Sequence, residues 1–168
     1  MWGRKKSGKG KEFLIFIDVD GVLNTTNSHI TKYEIQDENV RALGMLKDTL
    51  EKCRYEVKVV LSSTWRLGYD EDYEQCSKQV QRLITKLKEV GIVINGKTIV
   101  YKDKSRDVEI SRYIRGYQLK DIEFEYIILD DDESIFSKEA LQAMTFYKVN
   151  ERTGLTMQDV EKIAKMHK

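Results

Sequence analysis

Two aspartates one residue apart, Asp18 and Asp20, end an apolar run near the start of the chain. The run (residues 13–17, FLIFI) is short and rich in β-branched and aromatic residues, which is typical of a buried strand. An unpaired carboxylate is unfavourable at the end of a buried strand, so the pattern favours a metal ion as partner. Gly21 follows and lets the backbone leave the strand at an angle that a Cβ would hinder. Taken alone, the pattern fits a solvated Asp-Gly turn equally well.

Two further apolar runs also end in polar residues. Residues 57–61 (VKVVL) stop at Ser62, which opens the segment Ser62-Ser63-Thr64-Trp65-Arg66, and residues 126–129 (YIIL) stop at Asp130-Asp131-Asp132. Both runs predict buried strands. If the strands are parallel, their carboxyl ends meet at one edge of the sheet, where ligands of such folds bind. The three polar strand ends therefore predict one site.

The elements that would position this site alternate along the chain. Apolar spacing predicts helices over residues 37–54, 71–90, 106–116 and 156–167, the last capped by Thr156, and a further strand over 145–149. Asn95-Gly96 lies between apolar pairs and predicts a hairpin or turn. Strands alternating with helices predict an α/β three-layer sandwich, a mostly parallel sheet with helices on both faces. We expect one domain over residues 12–168, preceded by a basic flexible tail over 1–11, for which a nucleic-acid contact is the alternative interpretation.

Composition excludes several function classes. The net charge is +1, so the chain carries no global signal for a polyanionic partner. No apolar stretch is long enough to span a bilayer, and the basic N-terminus does not look like a secretory signal. Cys53 and Cys76 lack metal-ligand spacing, so we expect reduced, structural cysteines in a cytoplasmic protein.

The predicted site suits phosphate chemistry. Four carboxylates, those of Asp18, Asp20, Asp130 and Asp131, require a hard cation, and oxygen ligands suit Mg²⁺. Ser62 would donate to phosphate oxygens and Arg66 would clamp a phosphate through two hydrogen bonds. We also expect substrate contacts from Ser63, Gly21 and Lys104. A carboxylate beside Mg²⁺ is a feasible nucleophile, and a second one can transfer the proton.

These motifs, in this order, resemble the haloacid dehalogenase (HAD) superfamily of phosphohydrolases that form an aspartyl-phosphate. The first family motif is matched by residues 18–23 (DVDGVL), the second by 59–62 (VVLS) and the fourth by 127–131 (IILDD). The resemblance runs from Phe13 to the final predicted helix. It implies a Rossmann-like sheet and a phosphatase activity that depends on Mg²⁺.

The resemblance also implies a role for each matched residue. Asp18 would be the nucleophile and Asp20 the general acid and base. Asp18, the backbone carbonyl of Asp20 and an aspartate of the 130–131 pair would hold the metal, while Ser62 would bind the phosphoryl group. The basic residue of the third motif is ambiguous; we favour Arg106, with Lys104 second and Lys102 as a further candidate.

Weaker cues narrow the subfamily. The segments SSTWR, RDVEI and LDDD, with Thr153-Gly154-Leu155-Thr156, are similar to small HAD domains of RNA-repair and polynucleotide kinase–phosphatase type proteins. The substrate would then be a terminal phosphate on a nucleic acid end or a nucleotide. Trp65 would either stack on a base of that substrate or pack beside the site. The segments between the motifs are too short for a full cap domain, so we expect an open site. The alternatives are a phosphatase of small metabolites and a non-catalytic binding module of the same fold.

Overall fold

In a computed structural model, residues 10–26, 34–102 and 104–167 are described, and the sequence forms five strands and five α-helices. The strands are β1 (Glu12–Ile17), β2 (Glu56–Leu61), β3 (Ile94–Lys97), β4 (Phe124–Asp130) and β5 (Phe146–Lys148). The helices are α1 (Asp37–Lys52), α2 (Lys78–Glu89), α3 (Arg106–Leu119), α4 (Lys138–Ala143) and α5 (Met157–Met166). Most of the predicted tail, residues 1–9, lies outside the described part.

All five strands are parallel and follow the order β3-β2-β1-β4-β5. The central strand β1 pairs with β2 on one side and with β4 on the other, so the ends that carry the polar residues are neighbours. This confirms the predicted α/β architecture with its parallel sheet, and among the described residues no segment forms a large cap.

Alternation along the strands divides the core into two layers. Phe13, Ile15 and Ile17 pack with α1, α2 and α5 on one face, whereas Leu14 and Phe16 pack with α3 on the other. Both layers exclude water from a sheet whose central strand is buried along its apolar residues. Helices therefore cover both faces, as expected of a parallel sheet.

The predicted hairpin at Asn95-Gly96 is wrong, because both residues lie inside β3. Asn95 Oδ1 accepts the Val59 N–H at 2.8 Å, where the register between β2 and β3 shifts. A Cβ on Gly96 would lie 2.7 Å from the Tyr113 hydroxyl oxygen. Asn95 and Gly96 thus do not form a turn. Asn95 supports the irregular pairing of β3 with β2, and Gly96 allows α3 to lie close to the strand.

Apart from shifts of one to three residues at helix ends, the helices differ from the prediction in two respects. The predicted helix over 71–90 is a short 3-10 helix, Tyr73–Gln75, followed by α2, because the Ser77 side chain accepts the Val80 N–H and starts a new helix. The short helix α4 was not predicted. The final helix is confirmed: Thr156 and Asp159 form the reciprocal bonds of a capping box. None of the helices described here is both long enough and apolar enough to cross a membrane.

Candidate active site

Three strand ends meet at the carboxyl edge of the sheet. The Asp18 N–H donates to the Leu129 carbonyl of β4 at 2.9 Å, and the Ser62 N–H donates to the Ile17 carbonyl of β1 at 3.1 Å. Asp130 is the last residue of β4. The sheet itself therefore places Asp18 between the serine and the aspartate that the sequence predicts for the same site.

Asp18, Asp130 and Asp131 form an acidic group in which each residue offers a carboxylate oxygen within 4.8 Å of the others. Asp18 is 7% exposed and Asp130 is fully buried. Burial, together with the charge of Asp130, raises the pKa of Asp18 to about 8. Burial also raises the pKa of Asp130 and of Asp131. The group is therefore unfavourable as three bare carboxylates and favours a cation among them.

Arg106 supplies one positive charge at this group. It is the first residue of α3, and its Nη1 lies 2.7 Å from Asp130 Oδ2 and 3.3 Å from Asp18 Oδ1. Lys102 and Lys104, the other two candidates for a basic residue, are exposed in the loop before α3. Of these three residues, the structure places Arg106 against the carboxylates.

One arginine does not balance three acids, and the remaining oxygens suit a hard divalent ion. Oxygen-only donors from two or three carboxylates are the set that Mg²⁺ accepts. The backbone leaves room for the close contacts that such a set requires, because Gly21 has a φ of +79° and a Cβ there would lie 2.4 Å from the Asp131 carboxyl carbon. The residues present therefore fit the predicted metal.

The side chain of Asp20 lies outside the acidic group and is held by two donors. Asn24 Nδ2 donates to Asp20 Oδ1 at 2.8 Å, and the Trp65 indole N–H donates to Asp20 Oδ2 at 3.2 Å. Asn24 Oδ1 in turn accepts the Gly21 N–H at 2.9 Å. That N–H is therefore occupied within the loop, so the predicted substrate contact of Gly21 does not come from it.

Trp65 is only 6% exposed. It packs beside the site and has no exposed ring face on which a base could stack. Sequence reasoning missed Asn24, although an amide side chain four residues after an aspartate is a common way to close a turn. No short segment of the sequence indicates the bond from the indole N–H, because Trp65 lies 45 positions from the carboxylate that it contacts.

The two serines after β2 differ in what their hydroxyls do. Ser62 is fully buried, and among the described residues its Oγ has no hydrogen-bond partner. Ser63 Oγ accepts the Trp65 N–H and caps the 3-10 helix Thr64–Gly68. The Ser62 hydroxyl therefore has no partner within the described part of the protein, whereas the Ser63 oxygen already accepts a bond that caps a helix.

The two Nη atoms of Arg66, the predicted phosphate clamp, are bound to partners within the protein. Its Nη2 lies 2.6 Å from Glu109 Oε2, and its Nη1 donates to the carbonyls of Ser62 and Ser63 at 2.9 and 2.7 Å. Glu109 Oε1 also accepts the Tyr101 N–H at 3.2 Å. The Arg66 side chain is 7% exposed, and its bonds to these partners tie the serine loop to α3.

Glu109 was missed as a site-supporting residue, although the sequence offers a signal. It lies three positions after Arg106 on α3, and residues three apart share one face of a helix. The same turn of α3 therefore carries the guanidinium that contacts the acidic group and the carboxylate that holds the serine loop.

A cleft of about 550 Å³ opens beside Asp131 and gives access to the carboxyl edge of the sheet. It is lined by the end of β4 and by the segment after β5, namely by Asp131, Asp132, Lys148, Val149, Asn150 and Glu151. The acidic group is thus buried on the sheet side and reachable from solvent on the other.

A known protein family matches most of the chain, including the strand ends that form the candidate site. The family described as the HAD domain in Swiss Army Knife RNA repair proteins matches residues 14–160, a range that contains all the strand-end residues described above. No curated protein matches the chain.

Proposed function

Because the chain belongs to the family of HAD domains in Swiss Army Knife RNA repair proteins, we propose that it is a Mg²⁺-dependent phosphohydrolase that removes a terminal phosphate from a nucleic acid end. The acidic group of Asp18, Asp130 and Asp131, with Arg106 at 2.7 and 3.3 Å from two of its members, is the observation that carries the proposal. At one sheet edge it brings together an aspartate that would attack phosphorus, carboxylates that would hold a cation, and a fixed positive charge.

Two displacements at phosphorus account for the reaction. In the first, a carboxylate oxygen of Asp18 attacks the phosphorus, the bond to the leaving oxygen breaks, and Asp20 gives that oxygen a proton. In the second, Asp20 takes a proton from water, whose oxygen attacks the phosphorus. Inorganic phosphate leaves, and the Asp18 carboxylate is restored. Asn24 and Trp65 keep Asp20 oriented for both transfers.

The phosphoryl group requires compensation for its own charge. Mg²⁺, held by Asp18, the 130–131 pair and the Asp20 backbone carbonyl, would draw negative charge from the phosphoryl oxygens. Arg106 supplies further positive charge beside Asp18, and the unpartnered Ser62 hydroxyl donates to a phosphoryl oxygen. In a water-poor site such preorganised groups stabilise the transition state more strongly than they would in bulk water.

The nucleic acid end as substrate rests on two observations. The family description names RNA repair proteins, and in the described ranges no large cap covers the carboxyl edge. An open edge admits a phosphate that remains attached to a polymer, whereas small metabolites are usually enclosed before reaction.

Hydrolysis of an aryl phosphate tests the chemistry, and a substrate panel tests the class. We expect turnover that requires Mg²⁺ and disappears in Asp18→Asn, while Asp48→Asn, which removes an exposed acid of α1, retains it. Wild-type turnover in Asp18→Asn would contradict the mechanism. Oligonucleotides with a 3′- or 5′-phosphate should then be better substrates than nucleotides or sugar phosphates, and the reverse order would favour a metabolite phosphatase.

A further inference from the structure

A second cleft, of about 790 Å³, lies between α2 and the residues Glu34 and Ile35, which precede α1. Trp65 lines it, and the indole N–H of the same residue donates to Asp20 at 3.2 Å. This α2 groove, lined by Glu34, Trp65, Tyr73, Lys78, Arg82 and Lys86 among others, is therefore linked through the Trp65 indole to the residue that we assign to proton transfer.

The helical wall of the groove carries a row of cations. Lys78, Arg82 and Lys86 recur every four residues, a spacing that brings side chains to one face of a helix. Lys86 is paired with Asp37 at 2.6 Å. Lys78 and Arg82 are exposed, and within the described ranges neither forms an ion pair.

The rest of the lining suits an elongated polar ligand with flat rings. Glu34 is the one carboxylate among the lining residues. Tyr73 is 43% exposed, and its backbone carbonyl is fixed by a hydrogen bond of 2.9 Å from Gln81 Nε2. An exposed aromatic ring beside cations is an arrangement on which a base of a single strand can stack.

We propose that the α2 groove binds the strand of a single-stranded nucleic acid whose terminal phosphate occupies the candidate active site. The inference rests on the proposed function and adds to it the path of the substrate. Successive cations of the row rise by about 6 Å along the helix axis. This repeat lets two of them contact neighbouring phosphates of an extended strand, with Tyr73 left for a base.

Equilibrium binding of a fluorescein-labelled single-stranded RNA decamer tests the inference without requiring catalysis. Anisotropy is measured with the full chain in EDTA at 50 and 200 mM KCl. Two lost phosphate contacts reduce the salt slope by about 1.4, equivalent to about a sevenfold change in affinity across this range. We therefore expect Lys78→Glu/Arg82→Glu to bind more weakly and with this smaller slope.

Two comparisons separate the groove from nonspecific charge. Arg115→Glu/Lys120→Glu makes the same change in charge on α3 and at the residue that follows it, at the opposite face of the sheet, and should bind like the wild type. Tyr73→Leu should weaken binding by about tenfold while leaving the salt slope unchanged, because stacking is not ionic. Equal losses in both charge-reversal pairs would overturn the inference, and so would no loss in either.

The result is separable from the proposed function. If the aryl phosphate is hydrolysed but the groove variants bind RNA like the wild type, the groove inference fails and the phosphatase stands. If the groove variants lose binding while no phosphate ester is hydrolysed, the groove stands and the chemistry fails. Lys78→Gln/Arg82→Gln repeats the test with a smaller change, and melting curves verify that each variant is folded.

Discussion

Replacing Asp18 by Asn should abolish turnover and, in metal-free buffer at pH 8, make the protein more stable. The reason is the acidic group, in which a nearly buried Asp18 lies beside two further carboxylates. Burial and the charge of Asp130 raise the pKa of Asp18 from 3.8 to about 8. The folded state therefore resists ionisation of this residue, and asparagine removes the charge at nearly constant volume.

The size of the effect follows from the difference in pKa between the two states. At roughly 1.4 kcal/mol per pKa unit, this shift lowers the free energy of unfolding by at most about 5 kcal/mol at pH 8. Hydration and proton sharing within the group reduce it, and we expect a gain of about 2 kcal/mol. For a domain of this size that corresponds to a rise of about 4–8 °C in melting temperature.

The pH dependence has a definite sign. A carboxyl whose pKa is raised on folding binds more protons in the folded than in the unfolded state between pH 4 and 8. The stability of the wild type in EDTA should therefore be highest near pH 4–5 and fall as pH approaches 8. Asp18→Asn should flatten this decline, so that the melting temperatures of the two proteins converge as the pH falls towards 4.

Thermal unfolding in EDTA and in Mg²⁺ measures the stability of the metal-free protein and its stabilisation by the metal. Mg²⁺ should raise the melting temperature of the wild type at pH 8, because an ion that binds only the folded state stabilises it. The gain should be smaller for Asp18→Asn. Asp48→Asn controls for the loss of one acid at an exposed position. A metal-free Asp18→Asn that melts below the wild type at pH 8 would refute this account of the acidic group.

Three further predictions concern the residues that support the site. Glu109→Ala should lower the free energy of unfolding in urea by about 3–5 kcal/mol, because Arg66 is left buried without its partner, and adding Arg66→Met should recover part of the loss. Gly21→Ala should reduce stability by about 1–3 kcal/mol and weaken the stabilisation by Mg²⁺, since φ is +79° and the site is crowded. Trp65→Phe should lower kcat for an aryl phosphate by about tenfold with little change in KM, because Asp20 loses a donor that orients it; an unchanged kcat would show that Asn24 alone suffices.

The strand ends were predictable because their signals are local. An apolar run followed at once by polar residues marks both the strand and the position of its carboxyl end, and this held for β1, β2 and β4. Parallel pairing then brings Asp18, Ser62 and Asp130 together without further information. The acidic group could thus be anticipated from short segments of sequence.

The partners of these residues could not be predicted, because they depend on packing between distant loops. Arg66 and Glu109 are 43 positions apart, and their pairing gives the predicted phosphate clamp a buried carboxylate partner. Asn95-Gly96 has a strong preference for turns, yet pairing with β2 overrides it. In both cases, tertiary contacts outweigh a preference that is visible in the sequence.

The central position of β1 has a consequence for synthesis of the chain. Its apolar residues are made before those of the other four strands, and one edge can pair with β2 after residue 61, but the other must wait for β4, where Phe13 meets Glu125. Until β4 is made, one edge of this short apolar strand has unpaired backbone groups. Such an edge can pair with other chains and start aggregation. Lys11 and Asp18 flank it as charged gatekeepers. The carboxylate assigned to attack phosphate would therefore also protect the nascent chain from aggregation.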